Sequence, residues 1–232
     1  MDWTSMRMKI LRKNGESGNS AEQCFPILMI RVINMERGLI IFLNGTSSSG
    51  KTSIAMEMKN QGDIPFHHLS VDQFLHNYDQ FIDNTYPDMK PTREVEHHVM
   101  TDILFDPINS MYCATIKLFS EMGLNVIVDT VISNDKWFND FYELLSDYPI
   151  LFVGVQCSKE ELTRREQSRG DREIGLAHSQ FDYIYSYDEY DLEVNTEELS
   201  SAACAEKILS YMKSDQEYSA FKKLSRREVK TP

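Results

Sequence analysis

No apolar run in this chain approaches the roughly 18 residues that a bilayer-spanning helix needs. The opening stretch, MDWTSMRMKILRKNGESGNS, carries charged and polar groups where a secretory leader needs an apolar core. Together these absences predict a cytoplasmic protein with no membrane partner. Cysteine is scarce. Cys24, Cys113, Cys157 and Cys204 stand far apart with no CxxC pair, so free thiols are expected rather than a disulfide framework or a thiolate metal site. Basic charge is in deficit: 24 Lys and Arg stand against 36 Asp and Glu, a net charge of −12. Phosphate backbones repel such a chain, which argues against nucleic acid and anionic lipid as partners while leaving room for a local basic site. Repeats and low-complexity tracts are also missing.

What remains is a soluble composition, with 41% hydrophobic residues over 232, enough for one good-sized core. Three segments are expected. Residues 1–36 read as an N-terminal extension holding Arg7, Lys9, Arg12, Lys13 and Arg31, a GESGNS linker and the apolar run Phe25–Ile33; alternatively the natural start is Met35. Residues 37–213 read as the working domain. Residues 214–232 end in FKKLSRREVK, a basic tail expected to be a solvated helix end.

Within the domain, apolar runs alternate with helical spacing. GLIIFLN from Gly38 is near-continuously apolar, as in a strand buried on both faces. Further strands are expected at 65–72, 125–129, 149–155 and 191–194. Helices are expected over 51–59, 94–122 with a break at Pro107, 134–146 capped by Asn134 or Ser133, 158–167 with Ser158 and Glu161 as a capping box, and 196–213. Residues 75–92 look polar, aromatic and irregular. Strand–helix alternation predicts an α/β fold of three layers, with a parallel five-stranded sheet covered by helices on both faces.

The stretch IIFLNGTSSSGKTSIA raises the chemical question. It fits G-x-x-x-x-G-K-[ST] at Gly45, Thr46, Ser47, Ser48, Ser49, Gly50, Lys51 and Thr52, with a strand before and a helix after. Glycines let the backbone wrap an anion, successive N–H groups converge on it, and the helix N-terminus adds its positive end. Lys51 is expected on the β- and γ-phosphates of ATP, and Thr52 on Mg²⁺; Ser53 and Arg165 are counted with the nucleotide site. Asp129 ends an apolar strand, as a Walker-B carboxylate does, and is expected to hold the metal directly or through water. Asp72, expected at the end of the second strand, is placed to accept a proton from an acceptor hydroxyl, or else caps a following helix. Arg164, Arg165, Arg169 and Arg172 cluster in an otherwise acidic chain, with Gly170 as a flexible break; arginines there can close over a transferring phosphoryl group, with a solvated basic face as the alternative.

With no NKxD guanine signature and no second ATPase module, the pattern suggests an adenylate-kinase-like small-molecule kinase with an arginine lid. In this light the chain resembles the chloramphenicol phosphotransferase family. The resemblance rests on IIFLNGTSSSGKTSIA, SVDQF, GLNVIVDTVIS, LFVGVQCSKEELTRREQSRGDREIGLAHSQ and YDLEVNTEELSSAACAEKI, in that order, over about residues 38–209. It implies a P-loop kinase that uses ATP and Mg²⁺ to phosphorylate a hydroxyl of chloramphenicol, with Asp72 as the general base, Arg169 and Arg172 as lid arginines, and the 191–196 stretch near the adenine. Two departures stand out. Asp129-Thr130 replaces the family's paired aspartates, and residues 75–91 show no match.

The expected function is therefore transfer of the γ-phosphoryl of ATP to a hydroxyl of a small molecule, an antibiotic-inactivating step if that molecule is chloramphenicol. Rival readings are a P-loop kinase of another acceptor (a metabolite, a nucleotide sugar or a nucleic-acid end) and a nucleotide-binding regulator without transfer. Assembly into a homo-oligomer stays open. The pairs His67-His68 and His97-His98 lack ligand spacing and read as surface or half-buried histidines. The stretch at 180–194 reads as a helix packing Phe181, Ile184 and Tyr185, with an aromatic ligand pocket as the alternative.

Overall fold

The computed structural model describes residues 36–85, 105–132, 134–169, 175–186, 189–214 and 216–224. The chain divides into two units, Met1–Met35 and Glu36–Pro232; the first, with the apolar run expected at 25–33, lies outside the described residues.

Five strands form one parallel sheet: β1 (Ile40–Asn44), β2 (His67–Ser70), β3 (Val126–Asp129), β4 (Ile150–Gln156) and β5 (Leu192–Asn195), in the order β2-β3-β1-β4-β5. Every residue of β1 is buried, as its unbroken apolar sequence requires at the centre of a sheet covered on both sides. Side chains alternate across the pleat. Phe42, Val128 and Phe152 enter one core and Ile41, Ile127 and Val153 the other. Helices α1 (Lys51–Gln61) and α7 (Ser201–Met212) cover the second core with Ile54, Met58, Cys204 and Ile208. Helices α3 (Asp106–Glu121) and α4 (Asp135–Leu145) cover the first with Tyr112, Ile116, Phe138 and Phe141. The expected three-layer arrangement is the one observed.

Local chemistry sets most helix ends. Asn134 accepts a hydrogen bond from the Trp137 N–H at 2.9 Å and caps α4. Pro107 opens α3, where its missing N–H costs nothing. Ser158 accepts from the Glu161 N–H at 3.3 Å at the head of α5 (Lys159–Arg169). The reciprocal half of that capping box is not made: Glu161 grips Arg164 and Arg165, and the Ser158 N–H donates to Glu197.

Three expectations change. Residues 71–85, read in large part as irregular, form α2 (Val71–Thr85). Its Phe74 meets Tyr112 edge-on at 5.1 Å, so packing onto α3 overrides a sequence rich in Asn and Asp. Helix α7 begins at Ser201, with Ser200 as its cap, and 196–200 is a turn. The tail contributes to the core. In α8 (Ala220–Lys223), Phe221 is 1% exposed and packs against Phe42 and Phe152 at ring distances of 5.7 and 5.5 Å. Asp191 fixes it there by accepting from the Ser219 and Ala220 N–H groups with one oxygen and from the Phe152 N–H with the other. The rest of the basic tail, 225–232, lies outside the described residues. Helix α6 (Leu176–Ile184) matches the packed reading of the 180s, with Ile184 fully buried.

Cys113, Cys157 and Cys204 are free and buried, as expected of isolated thiols. Among the described residues no helix is long and apolar enough to cross a membrane.

Candidate active site

In a parallel sheet, ligands gather in the crevice beyond the strands' C-terminal ends. A cleft of about 560 Å³ lies there. The strand order gives it two walls. The ends of β2 and β3 contribute Ser70, Asp129 and Thr130, and the first turn of α2 contributes Asp72; α5 and the turn after β5 contribute Arg164, Arg165, Ser168 and Thr196. Between them runs the loop from β1 into α1.

That loop has the backbone its residues predict. Gly50 has φ of 97°, a left-handed conformation that disfavours any Cβ. A Cβ on Gly45 would lie 2.8 Å from the Val155 carbonyl oxygen. Lys51 is 5% exposed; its Nζ donates to the Gly45 and Thr46 carbonyls at 2.9 and 2.6 Å and curls the loop around its own ammonium. The Ser48 hydroxyl, in the cleft lining, is buried without a protein partner, the pattern expected where a ligand supplies one. Ser47 and Ser53 also line the cleft.

At the head of α1, Thr52 Oγ1 donates to Asp129 Oδ2 at 2.7 Å. This joins the two residues expected on the metal. Asp129 is buried, which by itself raises a carboxyl; the His68 hydrogen bond, the Lys51 charge and the Thr52 hydroxyl outweigh burial and hold it below the ordinary range. It is therefore ionised at neutral pH. Among the described residues no three His, Cys, Asp or Glu side chains cluster as a metal site. One carboxylate beside one hydroxyl still fits Mg²⁺, which takes few protein ligands and completes its shell with phosphate and water oxygens.

Asp72 lies inside the first turn of α2, which starts at Val71, rather than at the end of β2, which stops at Ser70, or as the cap of a helix starting after it. It is exposed and lines the same cleft as Thr52 and Asp129.

Arg165 lines the cleft and also braces the loop. Its guanidinium donates to the Ser48 carbonyl, to Thr196 through both the hydroxyl and the carbonyl, and to Glu161. Thr196 Oγ1 in turn donates to the Ser49 carbonyl at 2.8 Å. Arg169 ends α5, but its side chain and the whole of Arg172 lie outside the described residues.

Three contributors escaped sequence reasoning. His68 Nε2 lies 3.1 Å from Asp129 Oδ2. Gln180 of α6 accepts the Ser47 N–H at 3.0 Å, directly on the phosphate loop. Glu166, 1% exposed, accepts the Gly175 and Ala177 N–H groups at 2.8 and 2.7 Å and so secures the start of α6 to α5. Only Gln180 left a trace in the sequence, as the last residue of the segment IGLAHSQ. The other two depend on pairings that no local pattern encodes.

A family model described as chloramphenicol phosphotransferase-like protein matches residues 38–213. The chain belongs to the chloramphenicol phosphotransferase-like family. Two Mycobacterium tuberculosis proteins, from strains CDC 1551 and H37Rv, both named "Putative O-phosphotransferase", are 29% identical over 180 residues, covering 70% of this chain and 76% of theirs. Among solved structures, the Mycobacterium tuberculosis APS kinase in complex with AMPPNP and APS aligns with a TM-score of 0.53 at 16% identity, over 77% of this chain and 99% of that one. The Deinococcus radiodurans tunicamycin resistance protein aligns with a TM-score of 0.55 at 14% identity, over 76% and 96%. A Sinorhizobium meliloti gluconokinase aligns at 0.50 and 17%, over 77% and 93%. At these identities the structures establish the P-loop fold alone. Family and fold together support a P-loop kinase or phosphotransferase.

Proposed function

We propose that this member of the chloramphenicol phosphotransferase-like family transfers the γ-phosphoryl of ATP to a hydroxyl of a small molecule, with chloramphenicol as the first acceptor to test. The observation that carries the reading is the junction of Thr52 and Asp129 at 2.7 Å beside Lys51, in a cleft that Asp72 also lines. Lys51, Thr52, Asp129 and Asp72 line one cleft, which supports reading them as a single site.

In this reading the loop amides and Lys51 bind the phosphates and offset their charge. Thr52 and Asp129 hold Mg²⁺, which when bound neutralises phosphate charge. Asp72 orients the acceptor hydroxyl and takes its proton as the new O–P bond forms and the bond from the γ-phosphorus to the β–γ bridging oxygen breaks, ADP carrying away that oxygen and its electron pair. Arg169 and Arg172 are assigned to the charge that spreads over the transferring group. Arg165 and Thr196 keep the loop in its binding shape, and Arg164, Ser168 and Ser201 also line the cleft. The catalytic machinery is assigned to residues 37–213, with α8 completing the core that supports it, in the cytoplasm.

The test is ADP release from Mg·ATP with and without chloramphenicol, with mass spectrometry of the acceptor. A product heavier by one phosphate, lost in Asp72→Asn while ATP binding persists, is the expected result. Full turnover in Asp72→Asn would remove the base assignment. ATP binding with no drug-stimulated turnover would move the acceptor to another hydroxyl compound. Thr130, standing where the resemblance leads one to expect a second aspartate, is a concrete reason to run a metabolite panel alongside the drug.

A further inference from the structure

Both hydrogen bonds recorded on the Asp129 side chain fall on one oxygen. Thr52 Oγ1 approaches Oδ2 at 2.7 Å and His68 Nε2 approaches it at 3.1 Å. The His68 and Asp129 side chains are 7% and 6% exposed, so water does not compete strongly for this contact. The sheet builds the pair. In the parallel register, His68 stands opposite Ile127 and Ser70 opposite Asp129, so His68 lies on the same face as Asp129, one pleat back along the neighbouring strand. A carboxylate can only accept, so the imidazole carries its proton on Nε2 and donates.

We infer that His68 is a positioning residue for the metal-side carboxylate: its Nε2–H fixes Asp129 Oδ2 in place and leaves Oδ1 as the oxygen offered to the cleft. The inference rests on the assignment of Asp129 to the Mg²⁺ side of the nucleotide site. Carboxylate ligands are held by such outer hydrogen bonds, and losing one costs roughly 10- to 100-fold in metal affinity. Thr52 alone leaves the carboxylate free to turn about its bond to Oδ2. His68, arriving from a different strand, removes that freedom before any ligand binds.

The experiment measures ATP binding to the full chain by calorimetry, first in EDTA and then across a Mg²⁺ titration, for the native protein, His68→Ala and His68→Gln. Glutamine keeps an N–H donor at a comparable reach. In His68→Ala the Mg²⁺ concentration that half-maximally tightens ATP binding should rise by roughly 10- to 100-fold, while ATP affinity in EDTA stays within about twofold. His68→Gln should recover most of the loss. A purely structural histidine would instead lower the apo melting temperature and weaken ATP binding equally with and without Mg²⁺. That outcome, or an unchanged Mg²⁺ dependence in His68→Ala, overturns the inference and leaves the kinase reading intact. Native protein whose ATP binding ignores Mg²⁺ overturns both.

Discussion

Replacing Glu166 by glutamine removes half of a junction between two helices and leaves its shape intact. The buried carboxylate takes the Gly175 and Ala177 N–H groups, one on each oxygen. Glutamine keeps one acceptor and turns its NH₂ toward the other amide. One charge-assisted hydrogen bond is lost, about 1.5–3 kcal/mol, and one buried donor is left without a partner, about 1–3 kcal/mol. Relaxation recovers part of this, so about 2–4 kcal/mol is expected. If α6 opens locally, hydrogen exchange at Gly175 or Ala177 should accelerate roughly 30- to 700-fold, taking 1.4 kcal/mol per decade. If the domain opens as a unit, the melting temperature should fall by roughly 4–16 °C, given about 2–4 °C per kcal/mol at this size. Because α6 also carries Gln180 to the Ser47 amide, ATP affinity should weaken along with the protection. Unchanged exchange at both amides together with an unchanged melting temperature would refute the reasoning, since the two bonds could not then be holding the helix.

Phe221→Ala should destabilise the domain by about 3–5 kcal/mol, as for a buried aromatic with ring partners on the central strands, and thermal melting checks it. Little change would return this segment to a solvated tail. Glu161 is held down to about 2 by hydrogen bonds from Arg164 and Arg165, below the ordinary 4.5. A depressed carboxyl contributes stability that is complete above its ordinary value and lost as pH falls through its folded one. Denaturant melts of Glu161→Gln should therefore show a flatter loss of stability between about pH 4.5 and 2 than the native protein does; parallel curves would count against the ion pairs.

The phosphate loop was legible because its chemistry is local. Two glycines, a lysine and a threonine at fixed spacing, between a buried strand and a helix, leave few alternatives. The central strands were legible for a related reason, since burial on both faces demands an unbroken apolar run. Helix α2 was not, because its reason to form is Tyr112, far along the chain, while its own Asn and Asp residues favour turns. Phe221 was masked by the lysines and arginines beside it, although one aromatic is enough to bind a short helix to a core. His68 is the clearest case. An adjacent pair of histidines carries no ligand pattern, and only the pairing of β2 with β3 gives one of them a carboxylate. Arg165 lines the cleft with the loop, and its contacts with Thr196 and the Ser48 carbonyl add a bracing role that composition could not suggest.

The buried thiols have a practical consequence. Cys113 belongs to the core under α3 and α4, Cys204 to the core under α1 and α7, and Cys157 to the small cluster with Leu162 and Ala177 at the foot of α5 and α6. Burial raises all three above the ordinary thiol range, so they stay protonated and sluggish toward alkylating reagents. With Cys24 replaced by serine, each alkylation event then timestamps the opening of one compartment. A single mass-spectrometric time course reads three local clocks, and the order in which they run shows which compartment yields first when nucleotide is withdrawn.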